Sequence, residues 1–154
     1  MKILAISDIH GDKGLVRKTA KLAEEEKVDL IILAGDLTWF DESTKDLIGP
    51  FTKMNKEILI IPGNHETNLT LDALEKQYPL LRNIEKKPFE KNGVGFFGTG
   101  YAFAGPFFTD EEELKNKLIK SQNKIKHLSK KVLITHMHHK GSKSEFSGFE
   151  GSKE

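Results

Sequence analysis

The chain has 154 residues, with 24 Lys plus Arg against 23 Asp plus Glu, a formal net charge of +1 and no cysteine. That length predicts a single domain over residues 1–154, since a domain takes roughly 100–200 residues, and it needs no covalent staple. The missing cysteine excludes disulfides, thiolate metal sites and a cysteine nucleophile, and the near-neutral balance argues against a nucleic-acid binder that works by bulk charge. No apolar run approaches the roughly 20 residues of a membrane helix, and the opening stretch is too short for a signal peptide, so the expected location is cytoplasmic.

Three short apolar runs come first: Ile3–Ile6, residues 30–33 and Ile58–Ile61. Continuous runs of this length fit strands covered on both faces. Between the first two, residues 13–27 set Leu15, Val16, Thr19, Leu22 and Ala23 at helical spacing. A second helix is expected within 43–54, with Leu47, Ile48 and Phe51 on one side. This β-α-β-α-β order predicts a parallel sheet. A short helix follows near 70–77, stopped at Tyr78-Pro79, with Asn68 or Thr70 as its cap. Residues 84–98 read as antiparallel strands around the turn signal Glu90-Lys91-Asn92-Gly93. Thr109-Asp110-Glu111-Glu112 reads as a capping box that opens a helix reaching about residue 128, with Leu114, Leu118, Ser121, Ile125 and Leu128 inward. A last strand, 132–134, leads into Thr135-His136-Met137-His138-His139, and the tail beyond 142 is polar without a clear period.

The chemistry-bearing residues follow the strands. Asp8 and His10 come just after the first run, Gly35-Asp36 after the second, Gly63-Asn64-His65-Glu66 after the third, and His136 after the last. Asp8 to Asp36 is 28 residues, and so is Asp36 to Asn64. Equal intervals mean that each βα unit delivers one polar residue to the same sheet edge, where open α/β sheets place their sites. Two carboxylates, imidazoles and a neutral amide oxygen, with no sulfur, suit Mn²⁺ first and also Fe, Zn²⁺, Ni²⁺ or Co²⁺. Asp36, alone after the middle strand, is the natural bridge between two such ions. Gly35 and Gly63 would let the backbone turn so that the next side chain approaches an ion.

Asp8-x-His10, Gly35-Asp36, Gly63-Asn64-His65-Glu66 and Thr135-His136, in this order, resemble the calcineurin-like metallophosphoesterase superfamily. The resemblance implies a four-layer αββα sandwich of two mixed sheets. It also implies a pair of divalent cations: Asp8 and His10 on the first, Asp36 bridging, Asn64 and His136 on the second. His65 would act over the phosphate as proton donor or charge stabiliser. The implied reaction is hydrolysis of a phosphoester by a water activated between the cations, with a diester expected over a monoester and a small phosphoester or nucleotide as substrate. One element of the resemblance is missing: no Gly-His-x-His segment follows His136. The expectation is therefore a chain lacking the family's C-terminal strands, with His138 and His139 as possible replacement ligands.

Other features read more plainly. Glu66 is expected to support the site structurally. Trp39, Phe40, Phe107 and Phe108 are expected in the core or against a partner, with a substrate-pocket wall as the other reading. Residues 114–144 hold nine lysines and no acidic residue, which suits a solvated helix face or the steering of an anion. Nucleic acid is a possible but unsupported partner, and a homodimer is possible. The competing reading is a non-catalytic module on the same scaffold. A nucleotide-binding α/β domain is disfavoured because no Gly-x-Gly-x-x-Gly or Gly-Lys-Ser/Thr motif follows the first strand.

Overall fold

The computed structural model describes residues 1–143 and 151–153. Its first sheet takes the three apolar runs as β1 (Ile3–Ile6), β2 (Leu30–Ala34) and β3 (Ile58–Ile61), and adds β4 (Leu81–Asn83). The spatial order is β1-β2-β3-β4 and every pairing is parallel. Ile3 lies opposite Leu30 and Ile31 opposite Ile58, the same step of 27 residues each time. The second sheet, β5 (Phe89–Lys91), β6 (Val94–Thr99) and β7 (Lys130–Thr135), pairs β5 antiparallel and β7 parallel to β6.

Helix α1 (Lys13–Glu25) starts where the Asp12 carboxylate accepts the N–H groups of Gly14 and Leu15, at 2.8 and 2.9 Å, an N-cap that satisfies two donors left free by the first turn. A single turn, α2 (Gly49–Thr52), precedes β3, and α3 (Asn68–Gln77) joins β3 to β4. Helix α4 (Glu111–Lys124) joins β6 to β7, capped by Asp110 accepting from the Glu113 N–H at 2.8 Å.

Strand alternation divides the core in two. Ile31, Leu33, Ile58 and Ile60 point toward α1, α2 and α3, where they meet Val16, Ala23, Phe51 and Leu71. Leu30, Ile32, Leu59 and Ile61 point the other way and meet Phe96 and Ile134 of the second sheet. The far face of that sheet is covered by α4, whose Ser121 and Leu114 are buried, with Ile125 beyond it close to Gly95. The layers thus run helix, sheet, sheet, helix. A mixed sheet is found in the second layer only; the first is parallel throughout because its connections return each strand in the same direction.

Several local expectations need correction. The helix expected within 43–54 shrinks to four residues, since Pro50 restricts the residue before it and gives no N–H. Leu47, Ile48 and Phe51 are nonetheless fully buried. Helix α3 is capped by Thr67, not by Asn68 or Thr70; the Thr67 hydroxyl accepts the Thr70 N–H at 3.4 Å. Asp110, not Thr109, caps α4. Strand β4 was not anticipated, and residues 84–88 form the turn before the hairpin.

Phe96 is wholly enclosed between the two sheets. Phe96→Ala should lower the unfolding free energy by about 3–5 kcal/mol, the usual cost of an emptied aromatic site. Urea unfolding would read this as a lower midpoint at unchanged slope. A loss below about 1 kcal/mol would mean that the sheets close over the gap.

Candidate metal centre

The site forms where the carboxyl ends of β1, β2 and β3 meet the end of β7. The loops after β1 and β2 leave their strands through residues in the left-handed region: φ is +55° at Asp8, +46° at His10 and +52° at Asp36. Non-glycine residues seldom adopt such values, and they concentrate where surrounding structure fixes a functional side chain. Three backbone bonds lock the first loop to the second, from Asp8 N–H to the Gly35 carbonyl at 3.1 Å, from His10 N–H to the Asp36 carbonyl at 2.9 Å and from Gly11 N–H to the Leu37 carbonyl at 2.9 Å.

Asp36 is the centre of the arrangement. Its carboxylate is buried and accepts the His65 N–H at 3.1 Å. One oxygen lies 3.5 Å from His136 Nε2, and the other lies 3.6 Å from His10 Nε2. Asp8, exposed at the rim, approaches His10 Nε2 at 3.8 Å. Burial pushes the Asp36 carboxyl up, but the neighbouring imidazoles, His136 foremost with His65 and His10, together more than offset it, so the group titrates below its ordinary range. His136 moves the opposite way: burial works against its charge, and the Asp36 carboxylate prevails and raises it.

The donor atoms fall into two groups that share one residue. His10, Asp36 and His65 form one, and Asp8, Asp36 and His136 the other, each with its three ligand-type atoms within 4.8 Å of one another. Asn64 joins the second group through its Oδ1, 3.0 Å from His136 Nε2. All six residues singled out in the sequence therefore converge on one place. His138 and His139 belong to neither group among the described residues.

Two observations show that these residues fit divalent cations. His136 Nδ1 lies 2.9 Å from the Ala34 carbonyl, which accepts its N–H and leaves Nε2 facing two acceptors, Asp36 and Asn64. Nε2 of His136 and the oxygens of Asp36 and Asn64 thus converge on one spot, which a cation, or a proton on Nε2, would satisfy. His65 Nδ1 is buried without a hydrogen-bond partner, the kind of orphaned nitrogen that an ion or a substrate oxygen would satisfy.

Glu66 supplies the frame. It is fully buried, and its carboxylate accepts the N–H groups of Gly63 at 2.8 Å, Leu37 at 3.2 Å and Thr38 at 3.4 Å. One side chain thus ties the loop after β3 to the loop after β2. Burial raises its carboxyl, partly offset by those donors, and the nearby Asp36 charge adds to the rise. At Gly63 a side chain is impossible, because a Cβ would overlap the Asp36 carboxylate and backbone N–H.

Sequence reasoning put the aromatic residues in the core or against a partner first and in a pocket wall second, and it did not anticipate their contacts with the histidines. Trp39 stacks on the His10 ring, centroids 3.9 Å apart and planes at 19°, while Trp39 and Phe40 meet His65 edge-on at 4.6 and 4.8 Å. Trp39, Phe40 and Phe108 are exposed, not core. The aromatic type at positions after Asp36 was the only available signal, and type alone does not tell burial.

Two facing sheets between helices, with oxygen and imidazole donors gathered at the strand ends, define a metal-dependent phosphoesterase scaffold. The chain belongs to the calcineurin-like phosphoesterase family, whose sequence pattern matches residues 1–153. Among solved structures it is similar to the TT1561 protein of Thermus thermophilus, at TM-score 0.79 and 20% identity over 98% of this chain and 72% of that one. A second crystal structure is similar at TM-score 0.73 and 16% identity, over 98% of this chain and 76% of the other. At these identities the likeness is one of fold. No curated protein matches the chain.

Glu66→Ala would leave three buried N–H groups without their acceptor. It should cost about 3 kcal/mol or more, with faster amide hydrogen exchange at Gly63, Leu37 and Thr38 than elsewhere in the core. Exchange that accelerates uniformly would show that Glu66 does not clamp these loops.

Proposed function

We propose that the chain is a dinuclear metal-dependent phosphoesterase that hydrolyses a phosphodiester in preference to a monoester, with Mn²⁺ as the first candidate metal. Asp36 would lie between two cations; Asp8, which stands 3.8 Å from His10 Nε2 as well as in the His136 group, would hold one of them with His10, and Asn64 and His136 would hold the other. The observation that carries this reading is Asp36's membership in both donor groups. When bound, the cations would supply Lewis-acid polarisation of the phosphoryl oxygens and a lowered pKa for the attacking water.

The chain's own residues have defined tasks. The Ala34 carbonyl orients the His136 ring through Nδ1, and the Thr38 carbonyl lies 3.4 Å from His10 Nδ1, so both imidazoles present Nε2 to the centre. His65 stands beside Asp36, its ring held edge-on by Trp39 and Phe40. From there it would donate a proton to the departing ester oxygen or balance charge on the phosphoryl group.

Elemental analysis should find two divalent ions per chain after Mn²⁺ loading. Bis(4-nitrophenyl) phosphate should be hydrolysed faster than 4-nitrophenyl phosphate. An ion-free, inert chain would instead support the non-catalytic module. Asp36→Asn should lose both ions together with turnover. His65→Ala should lower kcat by about 10²–10⁴-fold, the span of general acid catalysis, and leave metal content unchanged. Equal loss of metal and turnover in that variant would make His65 a ligand.

A further inference from the structure

Two aromatic loops are pinned to adjacent carbonyls of the site segment. The Asp41 N–H donates to the His65 carbonyl at 2.8 Å and so fixes Trp39-Phe40, and the Phe107 N–H donates to the Asn64 carbonyl at 3.1 Å and so fixes the loop carrying Phe108. The second loop lies directly on the site, because a Cβ at Gly105 would overlap the Asn64 side-chain amide. Trp39 is 45% exposed although His10 stacks on it and the Phe40 ring lies near-parallel, centroids 6.0 Å apart; Phe40 is 62% and Phe108 73% exposed. Exposed rings are costly to keep in water, and here they adjoin the candidate ligands instead of forming a remote patch.

We propose, resting on the phosphoesterase reading above, that the site takes phosphoesters bearing a planar aromatic substituent, foremost a nucleobase, which packs on the exposed part of the near-parallel Trp39–Phe40 pair. The indole is already held at ring-contact distance from His10 and His65, so a ring bound there keeps its phosphate within reach of the centre. Trp39 is preorganised by its stack on His10 and gives up little freedom on binding. A base presents a π-face of matching size, and stacking on an aromatic side chain tolerates any base.

Trp39 is the chain's one tryptophan, so its fluorescence reports on the platform directly. With Mn²⁺-loaded protein, adenosine 5′-monophosphate should quench it and bind about 10- to 100-fold more tightly than ribose 5-phosphate, the gain expected from one stacked base. Phenyl phosphate separates the two sources of the ring: binding as tight as the nucleotide's marks any aryl group, and weaker binding marks a base, both in keeping with the proposal. Phe40→Leu, which keeps the reporter, should weaken the nucleotide severalfold more than it weakens ribose 5-phosphate. Trp39→Leu, checked for folding by circular dichroism and titrated by calorimetry, should abolish the difference between the two ligands. Equal affinity of the native chain for both ligands would overturn the proposal, as would variants that weaken both in equal measure. An inert chain that still prefers the nucleotide would refute the hydrolase reading alone.

Discussion

A single buried carboxylate holds four remote parts of this chain in one place. Asp36 lies against His10 from the first loop, His65 from the third and His136 from the second sheet, and its own backbone is kinked into the left-handed region to reach them. A charge in such a setting is tolerable only when positive or hydrogen-bonding groups surround it, so burying it obliges the neighbouring loops to converge. The parallel ladder makes this convergence geometrically cheap. Its constant register step brings the loop after each strand to the same edge, one unit beside the next.

The residues that surround the centre divide between presenting atoms and holding backbone. Glu66 carries no solvent exposure, and its part is to collect three amide protons from two loops. The Ala34 carbonyl does the corresponding work for His136, choosing which ring nitrogen faces inward. Farther out, Glu85 binds Asn68, Thr99 and the Gly100 N–H, which ties α3 to the end of β6, where the loop over Asn64 begins. Rigidity at the centre is therefore supplied by backbone-directed bonds from Glu66 and Glu85 together with those of Asp36 and His136 themselves.

Much of this was legible in the chain. The runs at Ile3, Leu30 and Ile58 are continuous because both faces of β1–β3 are covered, and polar residues at equal intervals after them pointed to one edge. What failed to show had physical reasons. Leu81-Arg82-Asn83 is too short and too polar to announce a strand, and it forms because β3 offers an unpaired edge. Pro50 cut short a helix whose apolar pattern was sound. Trp39 and Phe40 read as core, partner contact or pocket wall because hydrophobicity marks a ring's cost in water, not its place. Their partners, His10 and His65, lie far away in sequence, so no local spacing recorded the contact.

The donors are not all carried by the same layer. Asp8, Asp36 and Asn64 ride on the first sheet, whereas His136 rides on the second, and what separates the two is the apolar filling formed by Leu30, Ile32, Leu59, Ile61 and Phe96. The width of that filling acts as a gauge block. A methyl group added or removed deep between the layers slides one imidazole relative to three oxygens, so the grip on a cation is adjustable by substitutions that never touch it.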